Sequence, residues 1–458
     1  MIRSHTAPVS RRSKSSRRPS ARQLACEILT AAEREEQYLD QILEKRLSHA
    51  ALSVADRALV TALAHGVMRM RGRLDFEIGG HFHKDYASAP PLLKNILRTA
   101  LFQMRFMDRI PAYAAIHEAV ALARVRFGEN LARLCNAVLR QAQRSPYVAL
   151  PFAKLFAEKN ISEWAQDLSY PSWLLGRWLD QRGAEETLAL AQAFNEIPDI
   201  TLRLVRPAQN TQSVLQELEK LEISYEPVAG VPDTYRLAHC DGIAALQAFQ
   251  QGACTVQDAS TCLVAHLAAP MLHDTVIDLC AAPGGKALHL AELVQEKVMA
   301  VDLSPKRLRL LQESAQRLRL NLHTIASDAR NFSTAPADLV VVDAPCSGLG
   351  VLGRRSDLRW RRQPEDIPQL VQLQKEILTN AARLVKTGGR LLYSTCTLAP
   401  EENEEIAAWF LEQHAQFRLQ PAADFVAAEF CDDNGFVQTL PHRHHMDGSF
   451  AARFLKEG

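Results

Sequence analysis

Two cysteines fifty residues apart stand where a strand should give way to a loop. Val340-Val341-Val342-Asp343 is an apolar, β-branched run, and Ala344-Pro345-Cys346-Ser347-Gly348 breaks it. The device recurs in Arg390-Leu391-Leu392-Tyr393-Ser394-Thr395-Cys396-Thr397, followed by Pro400-Glu401-Glu402-Asn403-Glu404. In open α/β sheets, ligands bind beyond the carboxyl ends of strands. A cysteine there can act as a thiolate nucleophile. Added to C6 of a cytosine, a thiolate makes C5 carbanion-like and able to take a methyl group. A carboxyl group near N3, the place Asp343 could fill, would stabilise that adduct. A base then removes the C5 proton and the thiolate leaves. The bland alternative is a pair of buried structural cysteines. Their Pro-, Ser- and Thr-flanked loops at the ligand edge argue against it.

Methyl transfer needs a donor, and Val276-Ile277-Asp278-Leu279 leads into a loop suited to one: Cys280, Ala281, Ala282, Pro283, Gly284, Gly285 and Lys286. Small residues let a ligand approach the backbone closely. The loop matches neither the dinucleotide fingerprint nor a P-loop. Asp302 ends the next strand and could accept both hydroxyls of an unphosphorylated ribose. Asp328, after a third strand, could accept from an adenine amino group. Loop, ribose acid and adenine acid in this order suit S-adenosylmethionine.

The elements that must position these residues follow from pattern. A chain of 458 residues suggests about three domains. Residues 1–20 are rich in Ser and Arg and predict a disordered tail. Residues 21–145 carry apolar faces at helical spacing, Leu59, Val60, Leu63, Val67 and Met68 in one helix and Leu92 to Met104 in another, and predict an all-α bundle. Residues 146–198 read as a helical linker. Residues 199–257 read as a small α+β unit, with strands near 201–205, 223–228, 235–237 and 254–256. From 258 to 458 strands and helices alternate. That predicts a doubly wound, mainly parallel sheet, with 435–440 and 449–455 as an antiparallel edge.

Charge and composition bound the partners. Net charge is +1, but residues 1–22 hold seven Lys/Arg and no acid, so the remaining 46 basic and 52 acidic residues leave the body at −6. An RNA surface must therefore be local, aided at most by the tail. Arg354, Arg355, Arg359 and Trp360 form a candidate RNA contact, combining phosphate pairing with base stacking. Arg69 and Arg71, with Arg73 beside them, are a second candidate. Nine cysteines without CxxC spacing fit reduced thiols in a cytoplasmic protein. His442, His444 and His445 lack the partners of a metal site, and His117 reads as structural. Neither a membrane span nor a signal peptide is expected.

These motifs resemble the RNA (cytosine-C5) methyltransferases of the NOL1/NOP2/Sun type, with Val256-Gln257-Asp258-Ala259-Ser260 and Leu440-Pro441-His442 adding to the match. Ile116-His117-Glu118-Ala119-Val120 and Cys135-Asn136-Ala137-Val138-Leu139-Arg140 resemble a NusB-type RNA-binding bundle, and the α+β unit resembles a ferredoxin-like RNA-recognition subdomain. The resemblance implies a multidomain protein: a NusB-like bundle, a ferredoxin-like linker domain and a Rossmann-like class I methyltransferase. It implies Cys396 as nucleophile and Cys346 in product release. Asp343 would contact the cytosine and lie against the donor, with Lys286 in the same catalytic group. Residues Cys280 to Lys286, Asp302 and Asp328 would hold S-adenosylmethionine. The implied partner is 16S ribosomal RNA, free or early in assembly, and a monomer that binds no DNA is expected. In DNA cytosine methyltransferases the Pro-Cys cysteine attacks, so Cys346 competes for the nucleophile's role. Transfer RNA as substrate, and a non-catalytic assembly factor, are the rival functions. Two departures from the pattern stand out, Asp447-Gly448-Ser449-Phe450 near the end and Arg354-Arg355-Ser356-Asp357 in the arginine run.

Overall fold

A computed structural model describes residues 19–35, 37–82, 85–145, 160–238 and 242–458. Most of the expected tail, 1–18, and the start of the expected linker, 146–159, lie outside the described residues. The chain forms two compact units that divide between Lys154 and Leu155.

The described part of the first unit is helical: α1 (Ala21–Ala32), α2 (Leu39–Ser48), α3 (Val54–Arg69), α4 (Arg71–His81), α5 (Pro91–Phe106), α6 (Ala112–Phe127) and α7 (Glu129–Arg144). Ser20 and Ser53 cap α1 and α3 by accepting the N–H of Gln23 and Asp56. Pro91 opens α5, where its missing N–H costs nothing. The expected apolar faces are buried: Val60, Leu63 and Val67 of α3, and Leu93, Ile96, Leu97 and Leu101 of α5. Arg98 is buried with them and donates to Asp75 at 2.6 and 2.7 Å, since a buried cation survives only with such partners.

The expected phosphate-binding cluster is not presented as a cationic face. Arg69 is 7% exposed. Arg71 lies 4.0 Å from Glu33 and 3.8 Å from Asp75, and Arg73 lies 3.8 Å from Glu77. Asp75 and Glu77 are one helical turn on from the arginines they meet, and the fold adds Glu33.

The second unit begins with α8 (Ile161–Leu168), α9 (Ser172–Arg182) and α10 (Ala184–Asn195). A four-stranded antiparallel sheet follows, ordered β2-β3-β1-β4, from β1 (Ile200–Leu204), β2 (Tyr225–Pro227), β3 (Thr234–Leu237) and β4 (Cys254–Val256). Leu202 and Leu204 of its central strand pack on Val214 and Leu218 of α11 (Pro207–Lys220). After a short α12 (Gln247–Gln250), the main sheet takes the order β10-β12-β9-β8-β5-β6-β7, with β11 on β12. Its strands are β5 (Val276–Asp278), β6 (Val298–Asp302), β7 (Leu322–Ala326), β8 (Ala337–Asp343), β9 (Val385–Thr395), β10 (Phe417–Gln420), β11 (Val437–Thr439) and β12 (Ser449–Lys456).

Strands β7, β6, β5, β8 and β9 are parallel, and β12 pairs antiparallel with β9. Helices cover both faces: α13 (Ala259–Ala268) and α14 (Gly285–Leu293) one, α17 (Asp366–Leu384) and α18 (Glu404–Gln413) the other. Val340 and Val342 pack with Ile377 and Phe410, while Leu339 and Val341 pack with Leu263 and Leu290. A strand buried on both faces needs a continuous apolar run, which is why residues 339–342 do not alternate. The sheet also carries α15 (Pro305–Leu318), α16 (Leu358–Arg361) and α19 (Pro441–His444).

The fold class expected from the sequence is the one found, with one correction in the sheet. Strand β12 is internal, lying between β9 and β10. The edge strand β10, Phe417-Arg418-Leu419-Gln420, is only four residues long and carries too short an alternation to announce itself.

Candidate active site at the carboxyl edge of the main sheet

The chain winds from β5 outward to β6 and β7, then returns to β8 on the other flank of β5. The crevice at such a reversal is where an open α/β sheet binds ligands. Asp278 and Asp343 end the two strands that flank it. Across β8, Asp343 pairs in register with Ser394 of β9, which brings Cys346 and Cys396 together just beyond. Their Sγ atoms are 3.3 Å apart, and the backbone N–H of Cys396 points at Cys346 Sγ from 3.4 Å.

Gly350 allows this closeness. Its N–H donates to Cys396 O at 3.0 Å and its carbonyl accepts from Gly448 N at 2.8 Å. A Cβ at position 350 would lie 2.1 Å from Gly448 O and 2.9 Å from Cys396 O, so only glycine fits between the two loops.

The two thiols share their protons unequally. Cys346 is pushed well above the ordinary thiol value, first by its hydrogen bond with Cys396, then by burial, and then by the charges of Cys396 and Glu402. Cys396 is drawn below it, first by the hydrogen bond from Cys346 and then, against burial and the charge of Asp343, by Lys286 and Arg355. The Cys396 N–H bond to Cys346 Sγ pulls the other way, but one weak donor is outweighed at Cys346 by the bond between the sulfurs, burial and neighbouring negative charge.

Lys286 reaches Asp343 Oδ1 at 2.8 Å, and Ser394 Oγ donates to the same oxygen at 2.9 Å. Burial disfavours the Lys286 ammonium, yet Asp343 holds it charged, above the ordinary lysine value.

The loop from Cys280 to Lys286 runs along this edge into α14. Gly284 has φ +121°, and a Cβ there would meet Leu311 Cγ at 2.9 Å. Asp302, 5% exposed, accepts from Ala282 N at 3.1 Å and Ser304 N at 2.8 Å, which fastens the loop to the end of β6. Arg307 lies 3.3 Å from the same carboxylate and also donates to Ala282 O. A carboxylate offers about four lone-pair sites, so Asp302 keeps acceptor capacity for a ribose hydroxyl. Asp328, past β7, is held below the usual carboxylate value by hydrogen bonds from the Arg330 guanidinium and backbone.

Asp278 was not anticipated as a site residue. It is fully buried beside the loop, and burial, then the nearby Asp343, pushes its carboxyl up to about 7. Its Oδ1 accepts from Cys280 N, while Oδ2 has no hydrogen-bond partner among the described residues. An orphaned buried acceptor beside a small-residue loop fits a donor with a charged amino-acid end, and the acids at the ends of β6 and β7 fit its nucleoside.

Comparisons with known proteins identify the family. The family model described as 16S rRNA methyltransferase RsmB/F matches residues 265–455, a ferredoxin-like domain of RsmF/B-like methyltransferases matches 170–241, and the NusB family matches 19–144. A probable ribosomal RNA small subunit methyltransferase B of Synechocystis sp. is 36% identical over 448 residues, covering 95% of this chain and 99% of that one. The Bacillus subtilis protein of the same description is 33% identical, covering 96% and 100%. The chain belongs to the RsmB/F family. It is an S-adenosylmethionine-dependent methyltransferase of that family. Among solved structures, PH0851 is 27% identical with a TM-score of 0.79, covering 97% of this chain and all of that one. A methyltransferase homolog from Pyrococcus horikoshii is 25% identical with a TM-score of 0.56, covering 64% and 97%.

Within this RsmB/F chain, the arginine run expected to touch RNA divides by burial. Arg359 is 0% exposed, stacks 4.2 Å above the Tyr170 ring and donates to Asn195 Oδ1 at 2.7 Å and the carbonyls of Ser169 and Phe194 at 3.2 Å. It holds α8–α10 to the main sheet, so the expectation of an RNA contact fails for it in this fold. Arg354 bridges Asp258 at 2.7 Å and Asp447 at 2.8 Å. Trp360 is half-buried, whereas Arg355 is exposed and electrostatically close to Cys396. Reading the run as one charged loop missed the acids and carbonyls, mostly distant in sequence, that claim most of it. His442 binds Glu186 at 2.8 Å, and no group of three metal-ligating side chains occurs among the described residues.

Proposed function

We propose that the chain methylates C5 of a cytosine in 16S ribosomal RNA through a covalent adduct, with Cys396 as nucleophile. The observation that carries this reading is the pair of cysteine sulfurs 3.3 Å apart, beside the Lys286–Asp343 ion pair at the carboxyl edge of the sheet. The cytosine must leave its stack to reach that edge.

Cys346, as the thiol, stabilises the Cys396 thiolate. That thiolate adds to C6 and forms the C6–S bond, while electron density moves toward C5 and N3. Asp343 lies within the same hydrogen-bonded group and contacts the N3 side of the base, where a proton stabilises the adduct. Lys286 fixes Asp343 through Oδ1 and favours negative charge on Cys396. S-adenosylmethionine, held by Cys280 to Gly285, Asp278, Asp302 and Asp328, supplies an electrophilic methyl group. Cys346 assists the release step, in which the C5 proton is lost to solvent and the C6–S bond breaks to restore the Cys396 thiolate. Overall, a methyl group replaces the C5 proton. Arg355, exposed beside Cys396, is the residue of the arginine run best placed to meet RNA phosphate.

Covalent trapping tests the reading. Cys346→Ala protein incubated with S-adenosylmethionine and unmodified 16S RNA is expected to give a protein–RNA adduct on a denaturing gel, lost when Cys396 is also replaced. An adduct formed by Cys396→Ala and abolished by Cys346→Ala would exchange the two roles. No adduct from either variant, with no methyl transfer by the unmodified protein, would overturn the reading.

A further inference from the structure

Behind the cysteine pair lies a buried network that the reaction steps above do not use. Each cysteine is followed by a hydroxyl residue, Ser347 after Cys346 and Thr397 after Cys396. These two hydroxyls lie 2.6 Å apart. The Ser347 hydroxyl donates to the carboxylate of Glu402, which is 0% exposed. Glu402 Oε1 accepts from Ser347 N at 2.9 Å and from Gln374 Nε2 at 2.9 Å, and Oε2 accepts from Ser347 Oγ. Gln374 Nε2 also donates to Pro345 O at 2.9 Å, and Tyr393 OH donates to the Glu402 carbonyl at 2.6 Å. A short helical turn, Pro400–Glu402, thereby reaches the loop after β8, the loop after β9 and helix α17 through one residue.

A buried carboxylate is costly unless its lone pairs are filled. Here Ser347 fills them from the Cys346 loop, and its hydroxyl also meets that of Thr397, so filling them ties the two cysteine loops together. The carboxylate also breaks the symmetry of the pair. It receives the N–H of the residue bonded to Cys346, placing negative charge against that sulfur. The groups facing Cys396 include Lys286 and Arg355, opposed by Asp343. The groups around Cys346 are Glu402, Tyr393 and the Arg362 guanidinium, which is spent on Ser347 O at 2.8 Å and Cys346 O at 3.4 Å.

We propose that Glu402 is a positioning residue that locks the two cysteine loops in register through the paired hydroxyls of Ser347 and Thr397, and that its charge assigns the shared proton to Cys346. This rests on the reading of Cys396 as nucleophile, but its first test needs no RNA. The full chain is alkylated with iodoacetamide across a pH series, and the rates at Cys346 and Cys396 are read separately by peptide mass spectrometry. In the unmodified protein Cys396 reacts from lower pH than Cys346. In Glu402→Gln the rate at Cys346 near pH 8 rises about tenfold, because its thiolate no longer faces a neighbouring negative charge, and the gap between the two cysteines narrows. A gap unchanged in a folded Glu402→Gln protein overturns the charge assignment.

Should Glu402→Gln not fold, Ser347→Ala keeps the carboxylate and removes the hydroxyl link. It is expected to slow single-turnover methylation about tenfold, about the worth of one lost hydrogen bond at the reacting centre, while Cys346 stays slow to alkylate. Methylation at the unmodified rate would overturn the locking role. Failure of the nucleophile assignment would show instead as an RNA adduct on Cys346, with the alkylation gap intact.

Discussion

The loops of Cys346 and Cys396 are built alike and surrounded differently. Each ends a parallel strand, each follows its cysteine with a hydroxyl residue, and the two hydroxyls touch. Yet a buried glutamate stands on the Cys346 side, whereas on the Cys396 side a lysine and an arginine oppose the charge of Asp343. Identical side chains can thus divide acid and nucleophile between them when their environments push their proton affinities apart. The division cannot be read from either loop alone, because the groups that create it come from other strands and helices.

The largest effect should come from removing the more acidic thiol. Cys396→Ala is expected to lower methyl transfer by about 10³-fold or more, measured as tritium incorporation into 16S RNA, because no other thiolate lies at the crevice. Cys346→Ala should cost less, about 10²-fold in turnover, the scale of a lost proton-transfer group. It should also accumulate the RNA adduct that the unmodified protein releases. Equal losses without adduct would erase the contrast between the loops. Lys286→Met sharpens it from the cationic side: the onset of Cys396 alkylation should move to higher pH, because the ammonium that favours its thiolate is gone. An onset that does not move would leave the Cys346 hydrogen bond and Arg355 as the causes.

Much of this was legible in the sequence, for a stated reason. Strand-end motifs such as residues 340–348 and 390–397 unite a buried apolar run with a loop breaker, so fold and site speak in the same residues. Asp278 was readable as the last residue of a strand, but its burial and proximity to Asp343 depend on β5 lying next to β8, a non-local pairing. Glu402 sat in plain view within Pro400-Glu401-Glu402-Asn403-Glu404, and nothing local distinguishes it from the half-buried glutamates beside it. The arginines failed for the same reason reversed. Charge in sequence suggests solvent or phosphate, until acids and carbonyls from elsewhere surround it.

That failure is itself open to test, since Arg355 and Arg359 are four residues apart and differ wholly in surroundings. Arg359→Ala leaves an amide oxygen and several carbonyls unsatisfied in a buried place and should destabilise the fold by on the order of 3 kcal/mol in urea unfolding. Arg355→Ala should leave stability within about 0.5 kcal/mol, yet reduce the salt dependence of RNA binding by about one phosphate's share. If Arg359→Ala folds normally and weakens RNA binding instead, the assignment of the two arginines is reversed.

The smallest effect sought is a slope. Folded Asp278 titrates at about 7, whereas in the unfolded chain it returns to the ordinary carboxylate range near 3.8. Between those values the folded state keeps a proton that the unfolded state has released, so stability falls as pH rises through the window from about 4 to 7. Burial is the main cause and Asp343 the next, and neither acts on an amide. Asp278→Asn should therefore flatten the decline of melting temperature across that window and leave it unchanged below pH 4, where the aspartate is protonated in both states. The same variant keeps an acceptor oxygen but can no longer ionise, so S-adenosylmethionine binding measured above pH 7 reports whether charge at Asp278 matters to the donor. A decline no shallower in Asp278→Asn would place the titration elsewhere, with Asp447, which burial also pushes up to about 7, the first to examine.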